Sequence, residues 1–455
     1  MDSIYDYLKN KKIILLGFGK SNSAIADVLD DLKINFEVRD KNNCSDKLNF
    51  KNSKVNHIFG ENYSENLDCD IIFRSPGIRP DIEGINLAVR NGAILSSEID
   101  LFMKFCPSKN IFAVTGSDGK STTTSIIYEI LKSSGKNVFL GGNIGTPIIS
   151  QLNKISSDSY VVLELSSFQL MDLNINPKIA IISNISENHL DWHINFDEYV
   201  SSKFNIFKNN PELLVINEDD PILNKLKGSN IRSFSLNNKV ENGCYLNENK
   251  DIIFSNHGKR AKIINCKDIK VPGIHNIYNY MASISACFDF VSIDDIKYVA
   301  QNFSGLNHRI EFIDEINGVK YYNDSIASTP NRVIKGSLSV FQDNIILIAG
   351  GYDKHLEFDK FADIVCNKAK VIILIGQTSD KIEKCINDSS FVKKPKIFKA
   401  SSMADAVNLA KSNSVKNDIV LLSPACASFG MYNNFEERGM DFKKCVLNLR
   451  EVYND

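Results

Sequence analysis

The chain has 455 residues, 53 of them basic and 55 acidic, for a formal charge of -2. That length suits about three domains, and the balance of charge removes any electrostatic reason to expect nucleic acid or an anionic membrane as the main partner. The ten cysteines are scattered without a Cys-x-x-Cys pair or zinc-like spacing, which predicts a reduced, cytoplasmic setting rather than a disulfide framework or a zinc site. The start lacks a basic stretch followed by an apolar one, and no uncharged apolar run reaches about 18 residues, so neither a secretion signal nor a membrane span is expected.

Three segments each open with an apolar run, pass through a glycine turn and continue at helical spacing, which predicts α/β architecture three times over. The first runs from Lys12 to Leu16, turns at Gly17-Phe18-Gly19, and predicts a helix over Ser23 to Leu32. Asn22 stands where a dinucleotide fingerprint carries its third glycine, so the close helix packing of that motif is not specified. Asp40, after the strand Phe36 to Val38, is placed either to bond a ribose hydroxyl or to cap the strand.

Beyond a joint at Pro107 to Asn110, the strand Ile111 to Val114 leads into Thr115-Gly116-Ser117-Asp118-Gly119-Lys120-Ser121-Thr122. Two glycines let the backbone turn, and Lys120-Ser121 open a helix whose N–H groups and positive dipole end face the turn. Such a loop cradles phosphates, with Lys120 on the terminal phosphates and the Ser121 hydroxyl on Mg²⁺. The spacing G-x-x-G-K-S is shorter than the common P-loop, which argues against an ordinary NTPase.

The apolar run from Tyr160 ends in Glu164, and a carboxylate at that edge of an open sheet suits Mg²⁺ held by phosphates. A second strand, Ile179 to Ser183, leads to His189, Asp191 and His193, where a second ion or a general base fits. For His193 a hydrogen-bonded structural role is an equal alternative. Lys203, taken alone, reads as a solvated helix lysine. The polar stretch Asn237 to Lys262 predicts a hairpin excursion. After a joint at Phe303 to Asn307, strands at Asn344 to Ala349, VIILIG and DIVLLS form the third unit. Lys354, just past a strand end, suits a carboxylate or is a surface lysine.

TGSDGKST, LELSSFQL, NISENHLDWH, GIHNIYN, GLNHRIE, NDSIAS and SPACASFGMYNNFEERG occur in the order seen in the Mur ligases, and the chain resembles that family from about Lys12 to Phe442. The resemblance implies three α/β domains: a Rossmann-like domain for the uridine-nucleotide substrate (1–107), a central P-loop mononucleotide-binding sheet that is the ATPase (108–304), and a Rossmann-like domain bringing the amino acid (305–455). The implied reaction is ADP-forming ligation of D-glutamate to UDP-N-acetylmuramoyl-L-alanine through an acyl phosphate, by a cytoplasmic monomer in peptidoglycan precursor synthesis. The glutamate's amine proton then passes to His189 or to a phosphate oxygen.

By the same resemblance Lys120 meets the transferred phosphate, Ser121 and Glu164 serve one Mg²⁺, and His189 and Lys203 serve a second, with Lys203 carbamylated. Gly116, Ser117, Asp118, Gly119 and Thr122 complete the ATP loop. Asn276 and Asn279 resemble the adenine contacts, and Arg309 and Asp324 resemble ATP contacts from the third domain. Gly19, Lys20, Asp40, Ser75, Pro76, Gly77 and Asn143 fall to the sugar nucleotide, and Ser328, Lys354, Ser428 and Phe435 to glutamate. Ile326 stands where many relatives carry lysine, and Lys335 is a candidate to replace that cation. Other readings are a different member of the superfamily, a P-loop kinase or switch, and a nicotinamide-dependent enzyme using the first turn.

Overall fold

The computed structural model describes residues 2–341 and 344–451. Its strands form three sheets. The first contains β1 (Ile13–Leu16), β2 (Phe36–Asp40), β3 (Val55–Phe59), β4 (Ile71–Arg74) and β5 (Ile94–Ser96), in the order β3-β2-β1-β4-β5 and parallel throughout. The second contains β6 (Asn110–Thr115), β7 (Val138–Gly142), β8 (Tyr160–Glu164), β9 (Ile179–Ile182), β10 (Leu213–Asn217), β11 (Ile231–Ser235), β12 (Asn242–Leu246), β13 (Asp251–Asn256) and β14 (Lys259–Asn265). Its order is β14-β13-β12-β11-β10-β9-β6-β8-β7, parallel as far as β12 and antiparallel through β13 and β14. The expected hairpin excursion is therefore an extension of this sheet.

The third sheet contains β15 (Glu311–Ile316), β16 (Val319–Asn323), β17 (Ile345–Ala349), β18 (Ala369–Ile375), β19 (Lys396–Ala400) and β20 (Ile419–Leu422), ordered β15-β16-β20-β17-β18-β19. Only the β15–β16 pair is antiparallel. Its central strands are apolar on both faces, as a covered parallel sheet requires. Leu347 and Ile372 fill one side, while Ile346, Ile348 and Ile373 fill the other.

The chain divides into two compact units. One holds the first two sheets, runs to Ile269 and includes His275–Asn302, and the other starts at Phe303 and includes Lys270–Ile274. Within the first unit one apolar core passes from Ile4 and Leu15 through Phe102 to Ile148, Leu163 and Leu170. The helix Glu98–Phe105 joins the sheets and buries Ile99, Leu101 and Phe102, with Ser97 accepting from the Asp100 N–H as its N-cap. Truncating Phe102 to alanine would cost about 3–5 kcal/mol.

Asn22 explains how the first turn manages without a third glycine. Its buried amide donates to the carbonyls of Leu16, Gly17 and Phe73 at 3.1, 2.7 and 2.9 Å, fastening the helix Lys20–Asp31 to β1 and β4. Among the described residues no helix is long and apolar enough to cross a membrane.

Candidate active site

In the second sheet the chain leaves β6 for the edge at β7, returns to β8, then crosses to β9 on the other side of β6. The carboxyl ends of β6, β8 and β9 thus border a crevice where ligands collect in open α/β sheets. After Thr115, Gly116 takes φ 150° and Gly119 φ 79°. A Cβ would meet Ser183 Oγ at 1.9 Å from the first and Asn279 Oδ1 at 2.3 Å from the second, so both positions require glycine. Gly119 caps the 14-residue helix Lys120–Ser133, whose positive end points at the loop.

The end of β9 holds this loop in shape. Asn184 accepts from the Ser117 N–H through its carbonyl and from the Asp118 N–H through its side chain, each at 2.9 Å, while Ser183 Oγ donates to the Asp118 carbonyl at 2.6 Å. Ser117 Oγ lies 2.7 Å from the Tyr199 hydroxyl. Lys120 folds back over the turn, its Nζ 2.9 Å from the carbonyls of both Gly116 and Ser117. Behind the loop, Thr123 Oγ1 donates to Asn279, which in turn donates to Asn276 at 3.1 Å. Ser121 and Thr122 follow in the helix's first turn.

Glu164 closes β8 and is 2% exposed. Its Oε1 accepts from Asn143 Nδ2 at 2.8 Å, whereas Oε2 is buried without a hydrogen-bond partner. An orphaned charged oxygen costs several kcal/mol, on the order of 1–3 or more, so its presence suits a bound cation. Among the described residues no three His, Cys, Asp or Glu side chains cluster tightly enough to hold a metal by themselves. One carboxylate aided by hydroxyl and phosphate oxygens is the pattern for Mg²⁺.

His189 has a left-handed backbone, φ 53°, and its ring packs edge-on against Phe168 at 4.9 Å. Desolvation, then the charge of Lys120, lowers its pKa below the usual imidazole value, so a lone pair is open to a proton or a cation at neutral pH. His193 takes the structural role: it is 2% exposed, with Nδ1 3.2 Å from Glu198 and Nε2 3.0 Å from Ser167 Oγ.

Lys203 corrects the reading of a solvated lysine. It is 1% exposed, donates to the Gly116 carbonyl at 2.7 Å and lies 4.7 Å from the Tyr199 ring centre. Burial first, then the neighbouring Lys120 charge, pushes its pKa well below the ordinary value. The result is a buried amine whose charged form is disfavoured.

The first sheet carries a second concavity at its strand ends, a cleft of about 440 Å³ lined in part by Gly19, Asp40, Lys41, Lys47 and Ser75. Lys20 opens the adjoining helix. Both Asp40 oxygens accept backbone N–H groups, from Phe18 at 2.6 Å and Asn42 at 2.8 Å, which is the capping arrangement. Pro76 and Gly77 follow Ser75, whose N–H is tied to the Leu16 carbonyl at 2.8 Å.

The second unit gathers its own set at the ends of β16, β17 and β20. Asp324 is buried, accepts from Ser423 Oγ at 2.9 Å, and is pushed up to about 6 by burial, with half-buried Arg309 nearby. Ser328 is half-buried, Ser428 buried, and Lys354 exposed, with its ammonium 5.7 Å from the Phe429 ring centre. Phe435 packs edge-on to His308 at 6.2 Å. The Arg332 guanidinium donates to the Ile326 carbonyl at 3.3 Å. Lys335 lies one turn further along the helix Pro330–Lys335. Sequence reasoning passed over Ser183, Asn184 and Tyr199, although polar side chains just after the buried β9 are a readable signal.

The chain belongs to the Mur ligase family. The description of the Mur ligase middle domain matches residues 114–287, and that of the Mur ligase glutamate ligase domain matches residues 308–426. The family consists of ATP-dependent, ADP-forming ligases that use Mg²⁺. The UDP-N-acetylmuramoylalanine–D-glutamate ligase of Clostridium botulinum (strain 657 / Type Ba4) is 45% identical over 456 residues, spanning 98% of each chain. Among solved structures, the UDP-N-acetylmuramate-alanine ligase of Thermotoga maritima is similar in fold, with a TM-score of 0.58 at 18% identity over 96% of this chain and 100% of that one. MurF ligase from Thermotoga maritima in complex with ADP gives 0.56 at 18% identity over 98% and 97%.

Proposed function

We propose that the protein joins D-glutamate to UDP-N-acetylmuramoyl-L-alanine, with ATP converted to ADP and phosphate, as a cytoplasmic monomer. Residues 1–107 bind the sugar nucleotide, 108–304 bind ATP, and 305–455 bring the glutamate. The observation that carries this reading is the meeting of the Gly116–Lys120 loop with the unpartnered Glu164 oxygen and the buried Lys203 amine.

The substrate carboxylate attacks the γ-phosphorus of ATP, releasing ADP and leaving an acyl phosphate. The glutamate amine then adds to that carbonyl, and phosphate departs as the amide forms. Gly116 to Thr122 seat the phosphates against the helix end, and Lys120 exchanges its loop carbonyls for the transferred group, stabilising charge as it moves. Ser121 and Glu164 would hold one Mg²⁺, and His189 and Lys203 a second, which would supply charge neutralisation to the phosphates. For the latter, the Lys203 amine takes up CO₂ and loses a proton to become a carbamate, which a neutral buried amine favours and an ammonium forbids. The proton of the incoming amine passes to a phosphate oxygen, or to His189 when its lone pair is not holding a cation.

Asn276 and Asn279 border the adenine, and Arg309 and Asp324 contribute to ATP. Gly19, Lys20, Asp40, Ser75, Pro76, Gly77 and Asn143 take the sugar nucleotide, and Ser328, Lys354, Ser428 and Phe435 the glutamate. ADP release is measured with UDP-N-acetylmuramoyl-L-alanine and each glutamate enantiomer, alongside other amino acids. Release dependent on D-glutamate is expected, and release with another amino acid, or without an amine, would refute the assignment.

A further inference from the structure

Two arginines beside the Ser75-Pro76-Gly77 turn make contacts that the chemistry above does not use. Arg74 ends β4 and is 1% exposed. One amino group donates to the carbonyls of Ser75 at 3.3 Å, Pro76 at 3.2 Å and Ile78. Its other nitrogens grip both Asp172 oxygens, with Nε at 2.9 Å, and the Phe168 carbonyl at 3.0 Å. One planar cation therefore ties the turn to the segment that follows Glu164 and its strand.

Arg79 does the same on the other side. It donates to both Glu198 oxygens, at 3.0 and 2.9 Å, and to the Trp192 carbonyl at 2.8 Å, with its guanidinium 5.1 Å from the Trp192 ring centre. Trp192 returns a hydrogen bond from its indole N–H to the Gly77 carbonyl at 3.0 Å. Trp192 belongs to the loop of His189, so the turn is fastened to two of the segments that carry candidate magnesium ligands.

We propose that Arg74 and Arg79 are positioning residues that hold the Ser75–Ile78 turn in register with Glu164 and His189, placing the sugar nucleotide's carboxylate end at the phosphate loop. The inference rests on the ligase reading and on the assignment of this turn to the substrate. An exposed ion pair contributes little, but a fork buried against four carbonyls fixes geometry. A misplacement of about 1 Å at a reacting centre costs on the order of a hundredfold in rate.

R74K, R79K and W192F test it in the full-length enzyme, the last keeping an aromatic ring while removing the N–H. For the arginine variants, KM for the sugar nucleotide should rise about tenfold and kcat fall about tenfold, with KM for ATP within about twofold; W192F should shift KM about threefold. Hydrogen exchange at residues 75–78 and 189–193 should quicken together in each variant. Unchanged exchange in both segments would overturn the clamp, as would a rise in both KM values with kcat retained. If the wild-type protein gave no substrate-dependent ADP release, the ligase reading would fall, while the exchange experiment would still decide the clamp.

Discussion

Lys203 and Lys120 donate to one acceptor, the Gly116 carbonyl oxygen, at 2.7 and 2.9 Å. Two ammonium groups this close repel each other, and burial first, then that repulsion, holds the Lys203 pKa well below its ordinary value. Its folded pKa lies below the ordinary 10.5, so the unfolded chain binds the extra proton. The resulting loss of stability grows as pH falls from about 10.5 towards the lowered pKa and is complete below it. K203M should therefore stabilise the resting protein by about 1–2 kcal/mol at pH 7, since Gly116 keeps Lys120 as a donor. The gain should vanish above pH of about 10.5; equal gains at pH 7 and 11 in thermal melts would contradict this.

The same variant position tests the carbamate. K203A should show ADP release reduced at least about a hundredfold, and millimolar formate or acetate should restore part of it by supplying an oxygen ligand in the vacated space. Failure of every short carboxylate to restore activity would count against a carboxylate-like group there.

Glu164 carries a buried oxygen with no partner. E164Q keeps the bond to Asn143 in shape and removes the charge, so the Mg²⁺ concentration for half-maximal ADP release should rise about 10–100-fold. An unaltered Mg²⁺ titration would place the ion elsewhere.

Gly119 holds φ at 79° with Asn279 Oδ1 2.3 Å from a would-be Cβ. G119A should cost about 1–2 kcal/mol for the left-handed backbone and more for the clash. In G119A/N279A the clash disappears and only the backbone cost remains, so the double variant should melt above the sum of the single losses. Simple additivity would show that the two residues do not meet.

Burial pushes Asp324 up to about 6, from an ordinary 3.8, against the opposing hydrogen bond from Ser423. A raised acid destabilises the fold where it is ionised, and that cost is relieved as pH falls from about 6 to about 4. D324N should thus be more stable than wild type at pH 7.5, by roughly 1–3 kcal/mol, with the two converging near pH 4. A constant difference across that range would disprove the shift.

The phosphate loop, Glu164 and the strands around them were readable because each depends on neighbours in sequence: an apolar run, two glycines, a lysine and a hydroxyl. The burial of Lys203 was not, because it comes from packing against Gly116 and Tyr199, and the helix Phe196–Phe204 has an ordinary polar composition; only the family resemblance singled that lysine out. Asn22 looked like a defect in a glycine pattern, yet its amide reaches three carbonyls, one of them 51 residues away at Phe73. Arg74 and Arg79 belong to no phosphate or metal motif, and their partners lie 98 and 119 positions along the chain.

Trp192 is the chain's single tryptophan, and its indole is bonded to Gly77. Tryptophan emission of the intact, unlabelled enzyme, excited where tyrosine does not absorb, accordingly comes from one place, the seam between the Ser75–Ile78 turn and the His189 loop. Any ligand that shifts this seam announces itself in the emission spectrum, so binding can be timed by stopped flow before a single bond has been made.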